Sequence, residues 1–163
     1  MKTVNKMKIK RKIIIDLDVV TVGKWDKGNY GSISRKFMIK VSKGAFYLIT
    51  PTLLLELVKK WRHEKLKAQI EEFYSKNSNE AIERLQIIKD VISKGIDFEE
   101  IFGKFIGIGI KEEDITLIFA SSLRDAALIT FNKIHLKNKE EEINGILSKY
   151  SLRAIKIISP EQI

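Results

Sequence analysis

The chain alternates short apolar runs with segments whose apolar residues recur every three to four positions. Residues 12 to 20 (KIIIDLDVV) are β-branched, apolar and interrupted only by acids, which predicts a buried strand. Residues 21 to 31 (TVGKWDKGNYG) lose the pattern and carry three glycines, so a loop is expected. Residues 32 to 43 place Ile33, Phe37 and Val41 four apart on one helical face, with Gly44 as a natural stop. Residues 45 to 49 (AFYLI) predict a second strand.

Thr50 as a cap and Pro51 in the first turn predict a helix running to about Ser75, with room for a break. Asn77 with Glu80 forms a capping pattern before a further helix, whose apolar side reads as Ile82, Leu85, Ile88 or Lys89, and Ile92, ending at Gly95. Asp97 and Glu100 repeat the capping pattern before a short helix, and residues 105 to 110 (FIGIGI) give no clear reading. A helix from Glu112 or Glu113 to about Leu123 follows, then strands at 126 to 130 (AALIT) and 154 to 158 (AIKII), stopped by Pro160. Strands alternating with helices imply an α/β fold with an open, mostly parallel sheet covered on both faces.

A length of 163 residues suits a single domain, 1 to 163, with a basic segment at 1 to 11. The hydrophobic fraction of 44% and charged fraction of 31% are those of a globular chain. Absence of cysteine excludes disulfides, zinc fingers and thiol catalysis, so a metal site must draw on carboxylates, histidine or backbone oxygens. The net charge of +9, from 30 Lys and Arg against 21 Asp and Glu, favours a polyanionic partner or marks a generic basic surface. No apolar run nears the roughly 20 residues of a membrane span. The acids Asp16 and Asp18 break the apolar stretch behind the basic start, and no small-residue cleavage site follows, which argues against a secretory leader. A cytoplasmic location is expected.

Four carboxylates and one asparagine carry candidate chemistry. Asp16 and Asp18 stand two apart at the C-terminal end of the first predicted strand, the edge at which open α/β sheets bind ligands. The plain alternative is that Asp18 caps a turn and Asp16 meets a surface lysine. Glu56, inside LLLELV, reads by itself as an exposed acid paired with Lys60. Asp114 opens its helix, where a carboxylate suits the dipole, yet Ile118 and Ser121 put it near the face that packs on the sheet. Asn132, two residues after Thr130, reads as a turn asparagine.

The order of these residues resembles the PIN-domain family. The matching stretches are IIIDLDVV, ITPTLLLELVKK, EEDITLIFASSLRDAALITFNKIHL and IKIISPEQI, spanning about residue 12 to 163, with 62 to 105 the least diagnostic. The resemblance implies a three-layer α/β/α sandwich with a central, mostly parallel sheet, and an acidic cluster that binds Mg²⁺ or Mn²⁺ and hydrolyses RNA, in the manner of toxin ribonucleases. Asp16, Glu56 and Asp114 match the first three family acids, and Asn132 stands where many members carry a fourth. Asp18 replaces a small polar residue and can restore the charge that Asn132 lacks. On this resemblance Asp16 and Asp114 are expected as direct metal ligands. Glu56 would be a ligand through water or would orient the attacking water, and Asn132 would bond a metal-bound water. Oxygen donors of this kind favour Mg²⁺ or Mn²⁺ over Zn²⁺.

Lys24, Trp25, Lys27 and Tyr30 are candidates for RNA charge and stacking contacts, with Arg35, Lys36 and Lys133 behind them. Trp25 as a core residue with solvated lysines is the competing reading. His63 and His135 are expected at the surface. A homodimer and a small antitoxin are further implications of the resemblance. Three other readings remain: a PIN-like protein that binds RNA or a partner without cutting, a receiver domain, and a nucleotide-binding fold. For the last, Gly103, Gly107 and Gly109 do not form a dinucleotide or phosphate-loop pattern.

Overall fold

The computed structural model describes residues 9–163; residues 1–8, most of the basic segment at 1 to 11, lie outside the described residues. The central strand β1 (Arg11–Ile15) ends in three isoleucines that are wholly buried, because helices cover both faces of the sheet here. It pairs in parallel with β2 (Phe46–Pro51) on one side and β4 (Ala127–Ile129) on the other. The outer strands β3 (Glu80–Ile82) and β5 (Ile157–Ile158) complete a parallel sheet of order β3-β2-β1-β4-β5.

The helices are α1 (Leu17–Trp25), α2 (Asn29–Ser42), α3 (Thr52–Lys59), α4 (Glu64–Asn77), α5 (Arg84–Ser93), α6 (Phe98–Gly107), α7 (Glu112–Arg124) and α8 (Glu140–Lys149). The chain winds outward from β1 to β3, then crosses back to β4 and winds outward the other way. Right-handed crossovers therefore put α1 to α4 on one face and α5 to α8 on the other. The contacts agree: α1 meets α2 and α4, while α7 meets α5 and α6, and α6 meets α8. This is the expected three-layer α/β/α sandwich. The winding reverses between β1 and β4, and that junction is where α7 touches the sheet.

Several sequence expectations change. The first strand stops at Ile15, and Asp16 caps α1, its carboxylate accepting from Leu17 N at 2.8 Å. The expected loop at 21 to 31 is mostly helix, since Val19 and Val20 bury against the core and tertiary packing overrides their modest helix propensity. Gly23 belongs there because α1 and α2 press together: a Cβ would stand 2.5 Å from Met38 Sδ. Thr50 and Pro51 extend β2, and Pro51 rather than Thr50 is the cap of α3, a strand end where its missing N–H costs no ladder bond.

The long predicted helix breaks between α3 and α4, where the His63 Nδ1 accepts from Leu66 N at 3.1 Å. Asn77 ends α4 instead of capping a helix, and the next element is β3, too short to show a period. On α5 the buried stripe is Ile87 and Val91, while Leu85 and Ile92 are 58% and 55% exposed. That helix has two apolar faces, and its packing on α7 selects the one the spacing did not favour. FIGIGI begins as the end of α6, and α8 has no counterpart in the sequence reading. Among the described residues no helix is long and apolar enough to cross a membrane.

Candidate functional site

The junction between β1 and β4 brings two chain segments to one point. Asp16 N donates to Ile129 O at 2.9 Å, continuing the ladder one residue past β1, so the residues after the two strands face each other. There the Thr130 hydroxyl lies 2.9 Å from Asp16 Oδ2 and 3.2 Å from Asp18 Oδ2. Phe131 N donates to the same Asp18 oxygen at 3.1 Å, and Asn132 N donates to the Thr130 hydroxyl at 3.0 Å. Asp18 Oδ1 is buried and has no hydrogen-bond partner among the described residues. Below, the fully buried Tyr74 of α4 donates its hydroxyl to Ile15 O at 2.7 Å, fixing the end of β1.

Burial dominates the electrostatics. Desolvation raises the Asp16 carboxyl against the lowering effect of its bonds to Thr130 and Leu17. Desolvation, then the Asp16 charge, pushes Asp18 up to about 7. Asp114, in the first turn of α7 and only 9% exposed, is likewise pushed up to about 7, first by desolvation and then by the Asp16 and Glu113 charges. Burial and the Asp16 charge thus disfavour ionisation of Asp18 and Asp114, the condition under which a cation or a proton is taken up.

Not every candidate joins them. Glu56 is exposed on α3 and is not among the charges that act on Asp16, Asp18 or Asp114. Its expected partner Lys60 makes no ion pair with it among the described residues. Asn132 is a turn asparagine, its Oδ1 accepting from His135 N at 3.0 Å. Among the described residues, no three Asp, Glu or His side chains stand close enough to cage a metal ion as they are placed.

The expected RNA contacts divide as well. Lys24, Lys27, Lys36 and Lys133 are exposed. Trp25 is 62% exposed, which removes the core reading, and meets His63 edge-on at 4.9 Å between ring centroids. Tyr30 meets Phe131 edge-on at 5.5 Å. Arg35 is committed to structure, its Nη1 donating to the carbonyls of Asp26 at 2.5 Å and Gly23 at 3.3 Å. Asp125 sits in an exposed turn with left-handed backbone. His63 is exposed as expected, whereas His135 is half-buried and lines a cavity.

Sequence reasoning did not assign roles to Thr130 and Tyr74. Their signals were faint: a threonine directly after a short apolar strand, and a tyrosine on the buried side of a helix. No family model matches the chain, and no curated protein matches it.

Proposed function

We propose that this chain is a Mg²⁺- or Mn²⁺-dependent endoribonuclease acting on single-stranded RNA, in the role of a toxin. The observation that carries this reading is the pair Asp16 and Asp18 held on the Thr130 hydroxyl at the sheet's switch point, with Asp114 close enough to feel the Asp16 charge. Ligand chemistry in open α/β sheets concentrates at such a point.

The donors fit a hard cation of the magnesium type. Such ions keep several waters and bind proteins through one or two carboxylates, so a cage of three is not required. The unpartnered Asp18 Oδ1 is an oxygen whose burial a cation would offset. Asp16 and Asp18 are the side chains that would hold the ion, and Asp114 would act directly or through its waters. Once bound, the ion would lower the pKa of a water and offset charge on the phosphate.

The protein's own part is to hold these acids in place. Thr130 and Phe131 N orient Asp18, Leu17 N orients Asp16, and Tyr74 fixes the strand end beneath both. Glu56, on the helix that leaves the same sheet edge after β2, is the candidate for reaching the attacking water from the solvent side. The +9 net charge, with Lys24, Lys27 and Lys133 exposed, suits an RNA backbone. The PIN-domain resemblance adds a small antitoxin and a homodimer to this reading, and a cytoplasmic location goes with the absence of cysteine.

A second reading, a PIN-like protein that binds RNA or a partner without cutting, draws on the exposed Glu56 and the turn role of Asn132. Cleavage of an end-labelled single-stranded RNA with Mn²⁺, Mg²⁺ or EDTA separates the two. Metal-dependent cutting that Asp114→Asn loses is the expected result. A folded protein that cuts no RNA with either metal would overturn the nuclease reading in favour of the second.

A further inference from the structure

Beside the acids lies a cavity of about 730 Å³ that the acidic chemistry does not use. Its size falls within the roughly 300–1,000 Å³ of small-molecule sites. One short segment builds both places. Thr130 and Phe131 N hold the carboxylates, and the next side chains, Phe131, Asn132 and Lys133, line the cavity.

The walls are apolar and unusually open to solvent. Tyr30 stands edge-on to Phe131 and is 56% exposed, and Ile134 is 72% exposed. A flat aromatic face of this kind is what an unpaired base stacks on, and every base has such a face. The polar groups at the rim include two carboxylates, beside Asn132, Lys133 and His135. Asp26 accepts from Gly31 N at 2.8 Å, and this bond heads the causes that hold its carboxyl below the usual range, so it is an acceptor at neutral pH. Glu161 is the second, exposed and bonded only to Ser159 among the described residues. Ionised carboxylates accept hydrogen bonds and donate none; uracil offers them only its ring N3–H, whereas guanine, cytosine and adenine each offer an exocyclic amino group with two N–H. The exposed Lys133 supplies the charge that a neighbouring phosphate requires.

We propose that this cavity is a nucleobase subsite, which takes the base next to the scissile phosphate and prefers guanine, cytosine or adenine over uracil. The proposal rests on the ribonuclease reading for its substrate. It adds the sequence preference, set by Tyr30 and Phe131 for stacking and by Asp26 and Glu161 for the amino group.

The test is fluorescence anisotropy in EDTA, where nothing is cut, with short labelled oligouridylates carrying one central guanosine, cytidine, adenosine or uridine. The three amino-bearing RNAs should bind more tightly than the uridine one. Tyr30→Ala, at an exposed position, should weaken them by about tenfold, and Tyr30→Phe should not. Glu161→Gln should narrow the gap between guanosine and uridine. Equal binding of all four RNAs, no binding of any, or Tyr30→Ala binding like the wild type would overturn the subsite. So would light scattering that shows a dimer lost in Tyr30→Ala, since a second copy would then cover the cavity. Because no metal is present, none of these failures touches the cleavage result. RNA that binds here yet is never cut with Mn²⁺ would sink the nuclease and leave the subsite standing.

Discussion

Asp16 and Asp18 converge on a single oxygen, the Thr130 hydroxyl, at 2.9 and 3.2 Å. A hydroxyl has one proton to give, and this one also accepts from Asn132 N. It can therefore donate to only one of the two carboxylates at a time. The second acid is left to hold a proton itself or to meet a cation, which is why burial and mutual repulsion drive Asp18 up to about 7. A proton on one carboxyl relieves this shortage, so the balance depends on pH.

Thr130→Val removes the shared donor while keeping the shape. A buried carboxylate then loses its charge-assisted bond to the hydroxyl, which costs about 1.5–3 kcal/mol. The expected outcome is a loss of about 2 kcal/mol in denaturant unfolding at neutral pH, largely restored in Thr130→Ser. A Thr130→Val protein as stable as the wild type would show that the hydroxyl does not hold the acids.

The metal-free protein should lose stability as the pH rises. Asp18 and Asp114 ionise near 3.8 in an unfolded chain but at about 7 when folded, so the folded state holds protons that the unfolded state has released. Their contribution is complete below 3.8 and is lost as the pH climbs through about 7. Thermal unfolding in EDTA should show a midpoint that falls across this window. Asp18→Asn should flatten the fall and stabilise the protein by about 1–3 kcal/mol above it. The same variant should bind Mn²⁺ more weakly in titration calorimetry. A midpoint that rises across the window, or unchanged Mn²⁺ affinity, would contradict the picture.

Gly31→Ala tests the support of the cavity rim. Gly31 sits in the first turn of α2, and a Cβ there would run into the carbonyl of Asp26, a backbone group that cannot swing away. Overpacking of this kind costs about 1–3 kcal/mol. The expected result is destabilisation in that range together with weaker RNA binding in EDTA, because the Gly31 N bond positions Asp26. Wild-type stability would mean that the Asp26–Gly31 turn has more room than its packing indicates.

Local patterns carried much of the fold. The β-branched run before Asp16, the apolar strand before Thr130 and the four-residue spacing of Phe37 and Val41 each reported a segment whose burial is set by its own residues. Where reading failed, the missing term was a local cap that spacing does not show or an interaction with a distant segment. The acids of DLDVV look like the end of a strand until Asp16 is seen bonding Leu17 N as a helix cap. Leu85 and Ile92 look like a core stripe until α7 is seen packing on Ile87 and Val91.

The candidate site divides along the same line. The sequence by itself determined which acids exist, that Asp16 and Asp18 follow a buried strand, and that Asp114 opens a late helix, since composition and short-range spacing are local properties. Only the tertiary structure decided that Thr130 closes on Asp16 and Asp18 across the sheet and that Asp114 feels Asp16. Those relations depend on strand order, and the reversal of winding between β1 and β4 joins residues more than a hundred positions apart in the chain. Desolvation at that junction, which sets the acidity of the carboxyls, is a property of the packed layers and of no single segment.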